Sequence, residues 1–350
     1  MPDVKQASPS ACRASKPPGA QRPGTLATAL LLATVIAGCT ETYDAGASRP
    51  HGPLPVDERN PVLLFNDSQY DNWEGEYAVL LASSGGLSLD GIVVNTSPNA
   101  TNIDDNLAGW RNLIAAARNS GMRGLPDPIK STGAPLVRPA SGDIDVTVGN
   151  GSAGAQLIVS ESSRKSLPYR PLAVVTAGRL TDVADAYLLD PTVVDRVVVV
   201  STLGTLTATG AAMGVPNGEM DPWADTIVTS RFRFVAVSAH YDQTADVPAS
   251  RLSELPDNAF GTWLASRQSQ IWNDQLAADQ VAVAAVALST SFVVAVERVS
   301  PGGPIAAGAT AGPTLTDDPN GPLWLVRQIA ASVAIARFWE ILLDPKTYGP

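Results

Sequence analysis

The chain has 350 residues, 45% of them hydrophobic, and a mean hydropathy of +0.06, enough apolar material for one large globular domain or two small ones. Its 24 Lys and Arg against 34 Asp and Glu leave a formal charge of −10, and no basic run interrupts the body of the chain. Nucleic acid is therefore excluded as an expected partner, because grasping a phosphate backbone needs clustered cations.

The N-terminus carries the first signal. Lys5, Arg13, Lys16 and Arg22 precede the apolar run "TLATALLLATVIAGC", residues 25–39. A basic stretch, a short apolar stretch and small residues make a secretory signal. The run is too short for a comfortable membrane-spanning helix. It ends in Ile36-Ala37-Gly38-Cys39, which resembles a bacterial lipobox and implies cleavage before Cys39 and lipidation of that cysteine. The expected organisation is a lipoprotein-type signal over 1–39, a Pro- and Gly-rich tether over 40–60, and one α/β domain over 61–350. With Cys12 lost and Cys39 lipidated, the mature chain could form no internal disulfide. The expected location is extracytoplasmic, anchored to a membrane as a bacterial lipoprotein.

From residue 61 the pattern alternates. "PVLLF" reads as a buried strand and "GEYAVLLASS" as a helix stopped by Gly85-Gly86. "LDGIVV" is the next strand. Asn102 or Asp104 could cap the helix "DDNLAGWRNLIAAARNSG", whose Leu107, Trp110, Ile114 and Ala117 share a face, with Gly121 as its stop. "APLVR" reads as a third strand. A Gly-rich stretch over 141–154 follows, then strand "PLAVVT", helix "LTDVADAYLL" and strand "DRVVVVST". Helix "ADTIVTS" and strand "FRFVAVSA" come next. The end of the chain holds the Ala-rich helix "DQVAVAAVALS", strands "SFVVAVERVS" and "LWLVR", and the helix "ASVAIARFWEILL". Continuous β-branched strands between helices imply an α/β fold, an open Rossmann-like core whose mostly parallel central sheet is flanked by helices on both faces. Ligands in such folds bind beyond the carboxyl ends of the strands, which puts 66–76, 95–102, 176–182 and 202–224 on one rim.

On that rim stands "NDSQYDNWEGEYA", residues 66–78, with Asp67 and Asp71 flanked by Asn66 and Asn72. Closely spaced hard oxygen donors on a turn suit Ca²⁺. Zinc is not expected, since the chain has two histidines and Cys39 is its one cysteine beyond the signal run. Helix capping by Asp71 or Asn72 would equally account for such a turn.

Five stretches in order resemble the inosine-uridine-preferring nucleoside hydrolases. "DSQYDN" is similar to the end of the family's D-x-D-P-G-x-D-D turn, with the helix beginning late after the extra "WEG". "LDGIVVNTSPNATNIDDNLAGWRNLIAAA" resembles its second strand, Gly-Asn loop and helix; "AVVTAGRLTDVADAYLLDP" its T-G-P-L-T-N-x-A strand and helix; "GEMDPWAD" its E-F-N-x-x-x-D segment; "AADQVAVAAV" its late helix. "GNGSAG" is similar to its G-x-N-G loop and lacks the Lys-Ser/Thr of a phosphate loop. The resemblance implies Ca²⁺-dependent hydrolysis of the N-glycosidic bond of a ribonucleoside or related N-ribosyl compound. Asp67 would be general base and metal ligand; Asn72, Asp279 and the carbonyl of Ala177 would complete the metal side, with Thr176 the alternative to Ala177. Asp71, Asn99, Glu219 and Asp221 would hold the sugar. Such chemistry passes through an oxocarbenium-like sugar that dense carboxylates stabilise, while the cation orients and acidifies water. A homo-oligomer is compatible with this reading.

The departures are specific. The family's first turn aspartate falls on Phe65, its second paired aspartate on Asn72, its sugar-binding asparagine on Asp221, and the histidine before Asp279 on Ala278. They favour a rival reading, a sugar- or nucleoside-binding lipoprotein on the same fold. A cell-envelope structural protein would account for the lipobox and leave the carboxylates without a purpose. Trp73, Trp110, Trp223 and Trp263 read as packing residues, and His240 as a solvated or packed histidine.

Overall fold

The computed structural model describes residues 49–67, 73–96, 101–131, 133–202, 206–207, 210–211, 217–237, 249–267 and 280–349. All belong to the unit 44–350. In chain order the elements are β1 (Pro61–Asn66), α1 (Trp73–Ser83), β2 (Ser88–Val94), α2 (Ile103–Asn119), β3 (Pro128–Lys130), α3 (Ala153–Lys165), β4 (Leu172–Thr176), α4 (Thr181–Leu189), β5 (Val197–Thr202), β6 (Leu206–Thr207) and β7 (Gly210–Ala211). They continue with α5 (Asn217–Met220), α6 (Pro222–Arg231), β8 (Arg233–Val237), α7 (Ala259–Arg267), α8 (Gln280–Ala287), α9 (Ser289–Phe292), β9 (Val293–Pro301), β10 (Leu315–Asp317), β11 (Leu323–Ile329) and α10 (Ala331–Leu343).

The strands form one sheet in the order β3-β2-β1-β4-β5-β8-β11-β9-β10-β7-β6. From β3 to β11 every neighbouring pair is parallel; beyond β11 the pairs are antiparallel. The expected α/β fold, a mostly parallel sheet between helices, is what is found.

Strand periodicity sends alternate side chains to opposite faces. Val62, Leu64, Ile92, Val94, Ala173 and Val175 join one core with α1, α2, α7, α8 and α10. Leu63, Phe65, Val93, Leu172 and Val174 join the other with α3, α4 and α6. Because both faces are covered, β1, β4 and β5 are buried at every position. That burial is why they read as near-continuous apolar runs, rich in Val in β4 and β5. Phe65, where the resemblance places an aspartate, is a core residue of the second face.

α2 starts as anticipated. Asn102 accepts from the Asp104 amide, Asp104 and Asp105 lie in the first turn, and Gly121 turns the chain out at φ +98 just past the C-cap Ser120.

Four expectations need correction. The tether ends early: Leu54 and Val56 lie in the first core, and Asp57 and Asn60 are buried, Asn60 donating to the Pro171 carbonyl at 2.7 Å. "WEG" does not delay α1; Trp73 opens it and Gly75 fits beneath Trp110, where a Cβ would come within 2.6 Å of the indole. "APLVR" is not a strand. β3 lies earlier, at Pro128–Lys130, because the Leu136 amide is spent on the Asp221 carboxylate (2.9 Å) rather than on a ladder, and Val137 is exposed. Finally, α3 and α7 are helices that the pattern did not single out. Among the described residues, no helix is long and apolar enough to cross a membrane.

Candidate active site

β1 has β2 on one side and β4 on the other. The chain winds from β1 outward to β2 and β3, then returns to β4 and builds the other way. A crevice opens at such a reversal, beyond the carboxyl ends of the two strands. Asp67 follows β1 and Ala177-Gly178 follows β4, so both flank it. The Ala177 amide donates to the Phe65 carbonyl at 3.0 Å, extending the β1–β4 ladder past the strand ends.

The same alternation that places Phe65, Val93, Val174 and Val199 on the α4 face places Asp67, Asn95, Thr176 and Ser201 there, two residues on. All four are buried: Asp67 is 3% exposed and the others are fully enclosed. Four adjacent strands thus end in a polar ledge beneath the rim. Asn95 is pinned by its backbone, its amide donating to the Asn66 carbonyl (2.9 Å) and its carbonyl accepting from Asn106 Nδ2 (3.0 Å). Asn106 Nδ2 also donates to the Asp67 carbonyl at 3.1 Å, and Trp110 Nε1 donates to Asn66 Oδ1 at 2.9 Å. Trp110 therefore packs and supports the site at once. Gly178 closes the ledge: a Cβ there would lie 2.8 Å from Asp67 Cβ and 3.2 Å from Asn95 Oδ1.

Buried polar atoms almost always find partners. At this ledge several do not: both amide atoms of Asn95, Ser201 Oγ and Asp182 Oδ2. Asp182 is enclosed on α4, accepts from Ser131 Oγ at 2.6 Å, and carries a carboxyl that burial pushes above its ordinary range against the pull of Ser131, Ser152, Arg179 and Asn95. Asp185, one turn later, accepts from the amides of Asn150 (2.7 Å), Gly151 (3.2 Å) and Ser152 (2.7 Å), so it clamps the "GNGSAG" loop. The sequence reading missed Asn95, Asp182 and Asp185. The available signals were a polar residue directly ending a buried strand and two acids three apart in an otherwise apolar helix.

Of the expected site residues, Asp67 and Ala177 come together at the crevice. Thr176, the alternative to Ala177, turns its hydroxyl to the Gly178 carbonyl at 3.2 Å. Glu219 lies exposed on α5. Asp221 is buried as the N-cap of α6: Oδ1 accepts from the Ala224 amide (3.0 Å), and Oδ2 accepts from Thr181 Oγ1 (2.6 Å) and the Leu136 amide. Burial pushes its carboxyl up, opposed by those donors. Trp223 is buried and donates to Thr147 Oγ1 at 3.0 Å, a packing role. Asp71, Asn72, Asn99, His240, Ala278, Asp279 and Cys39 lie outside the described residues.

Among the described residues one carboxylate-imidazole cluster has metal-ligand spacing, His51, Asp57 and Glu58. It precedes β1 and is distinct from the crevice at that strand's other end. Asp57 is already taken by Arg59 at 2.6 Å and by the amides of His51 and Arg59. The crevice gathers hard oxygen groups of the kind a Ca²⁺ site uses: the Asp67 carboxylate, the Asn95 amide and backbone oxygens after β4, all buried.

No protein-family profile matches the chain, and no curated protein matches it in sequence. Solved structures do match. An inosine-uridine preferring nucleoside hydrolase from Bacillus anthracis superposes with a TM-score of 0.59 at 14% identity, over 81% of this chain and 99% of that one. A purine-preferring ribonucleoside hydrolase from Gardnerella vaginalis gives 0.60 at 17%, over 82% and 99%. The plant nucleoside hydrolase PpNRh1 gives 0.52 at 16%, over 81% and 99%. The fold is that of the nucleoside hydrolases.

Proposed function

We propose that the protein is a lipid-anchored extracytoplasmic hydrolase that cleaves the N-glycosidic bond of a ribonucleoside or related N-ribosyl compound with the help of Ca²⁺. The observation that carries this reading is a buried carboxylate, Asp67, at the β1/β4 reversal of a nucleoside hydrolase fold. Asp67, Asn72, Ala177 and Asp279 are proposed to hold the cation, and Asp71, Asn99, Glu219 and Asp221 the sugar. Bound Ca²⁺ would supply a Lewis acid that polarises coordinated oxygen.

The rest is the work of this chain's own groups. Asp67 takes the proton from the water that attacks the anomeric carbon as the bond to the base breaks. The Asn106 contact fixes the Asp67 backbone, and Gly178 packs against its side chain, so the carboxylate has little room to move. Carboxylates around the ring favour the positive charge that develops on the sugar. The anchor is Cys39, and the nucleoside is the partner; nucleic acid is not.

One observation favours the rival, a nucleoside- or sugar-binding lipoprotein. The Asp221 carboxylate spends its oxygens on Thr181, Leu136 and Ala224. The deciding assay follows reducing-sugar release from purine and pyrimidine nucleosides over hours, with Ca²⁺ or a chelator. The wild type should release base only with Ca²⁺, and Asp67→Asn should lose about 10² to 10⁴-fold of the rate. Binding without base release by the wild type across the panel would establish the rival.

A further inference from the structure

We propose that Asn95 is a ligand to the cation of this site through its amide oxygen, and that Asp182 is the group that turns that oxygen toward it. The inference rests on the cation-dependent reading above but adds a residue that neither the turn motif nor the resemblance assigns.

The argument begins with a disagreement between burial and bonding. Asn95 is fully enclosed, yet neither Oδ1 nor Nδ2 has a partner. Its backbone is satisfied on both sides, so the side chain is not needed to hold the strand end. An apolar residue would serve the core better, since an unmet buried amide is a standing penalty. The side chain also points somewhere particular. Asn95 Oδ1 and Asp67 Cβ both lie within 3.2 Å of the point where a Gly178 Cβ would be, so the amide oxygen and the Asp67 side chain meet at one spot on the ledge. A larger residue at 178 would fill it.

Asp182 explains the orientation. Its Oδ1 is taken by Ser131, Oδ2 makes no well-formed bond, and the Asn95 side chain is close enough to be among the groups that pull its carboxyl down against burial. A carboxylate oxygen prefers the donor end of an amide, Nδ2. The amide oxygen is thereby left for the Asp67 side. Outer groups commonly orient ligands in this way. Complete enclosure suits a cation stripped of water better than a substrate contact, which would need exposed surface. An amide oxygen is also a regular Ca²⁺ donor. It would make up for the loss of carboxylates at Phe65 and Asn72, where the resemblance expects acids.

The test is cation binding, independent of turnover: calorimetry with Ca²⁺ alone, and the Ca²⁺-induced rise in melting temperature. Asn95→Ala should weaken Ca²⁺ at least tenfold while melting no lower than wild type without the ion. Asn95→Asp, which restores an oxygen and adds charge, should bind as tightly as wild type or tighter. Asp182→Asn should weaken binding less than Asn95→Ala, because an amide no longer dictates which way Asn95 turns. Unchanged Ca²⁺ affinity in Asn95→Ala, or a wild type that binds no Ca²⁺, overturns the assignment. Loss of folding in Asn95→Ala with normal affinity in Asn95→Asp would be judged by Asn95→Ser: tight Ca²⁺ binding there overturns it, and weakened binding supports it. Failure of the hydrolase reading is separate: it is Ca²⁺ binding without base release.

Discussion

Asp225 offers a sharp test of the interior. It sits on α6, fully enclosed, with neither carboxylate oxygen hydrogen-bonded. Gly312 rests against it, so that a Cβ there would lie 2.5 Å from Oδ2. Burial first, and the nearby Asp221 second, push its carboxyl well above the ordinary range. In the unfolded chain it titrates near 3.9. Between that pH and its raised folded value the native state holds a proton that the unfolded state has lost. Stability must therefore fall as pH rises through this window, by up to about 1.4 kcal/mol per unit for one proton. Asp182 and Asp221 are shifted the same way and add to the wild-type slope. Comparing wild type with Asp225→Asn isolates one site, because the amide cannot ionise. For a domain of this size roughly 1 kcal/mol moves Tm by about 1.5–2 °C. The wild type should then fall behind Asp225→Asn by about 2–3 °C for each pH unit within the window. Thermal unfolding from pH 4 to 8 measures it. Parallel Tm curves for the two proteins would show that Asp225 is ionised in the fold or paired, and the reasoning would be wrong.

Three further outcomes are expected. Gly178→Ala puts a methyl 2.8 Å from Asp67 Cβ, so base release should fall at least tenfold, while overpacking costs about 1–3 kcal/mol in denaturant unfolding; full activity would remove Asp67 from the chemistry. Asp185→Ala strands three backbone amides, at about 1–3 kcal/mol each if left unpaired; a loss under about 1 kcal/mol by urea titration would mean the loop needs no clamp. Cys39→Ser should release the protein from the membrane fraction, and retained lipid labelling in that variant would refute the anchor.

The central strands were legible because burial on both faces leaves only one kind of sequence, as in "PLAVVT" and "VVVVST". α2 was legible because a single apolar stripe and a cap coincide. α3 escaped notice because its apolar positions are diluted by Gly, Ser and charged residues, and it opens inside a glycine-rich stretch. "APLVR" misled because alternation was read without asking where its amides go; one goes to a side chain. At the site, Asp67 and the β4 end could be found from sequence since a turn after a buried strand is a local feature. Asn95 and Asp182 left only weak local marks, a polar residue ending a buried strand and an acid in an apolar helix, and what joins them is proximity between β2 and α4. The resemblance makes Asp221 a sugar-holding residue; the N-cap role it also takes could be read from Pro222, which marks the helix start.

The pairing of β1 with β4 joins Val62 to Ala173 and Phe65 to Thr176 across a long stretch of intervening chain. The crevice has no walls until that pairing closes, and closure of such distant segments is a slow, entropically opposed event. A ligand of the crevice therefore meets only chains that have completed their sheet. Its binding free energy is added wholly to the native state, about 2.7 kcal/mol at a hundredfold excess over Kd. A newly made chain would thus be ligand-blind while it folds, and the first bound ligand would seal the central strands against reopening.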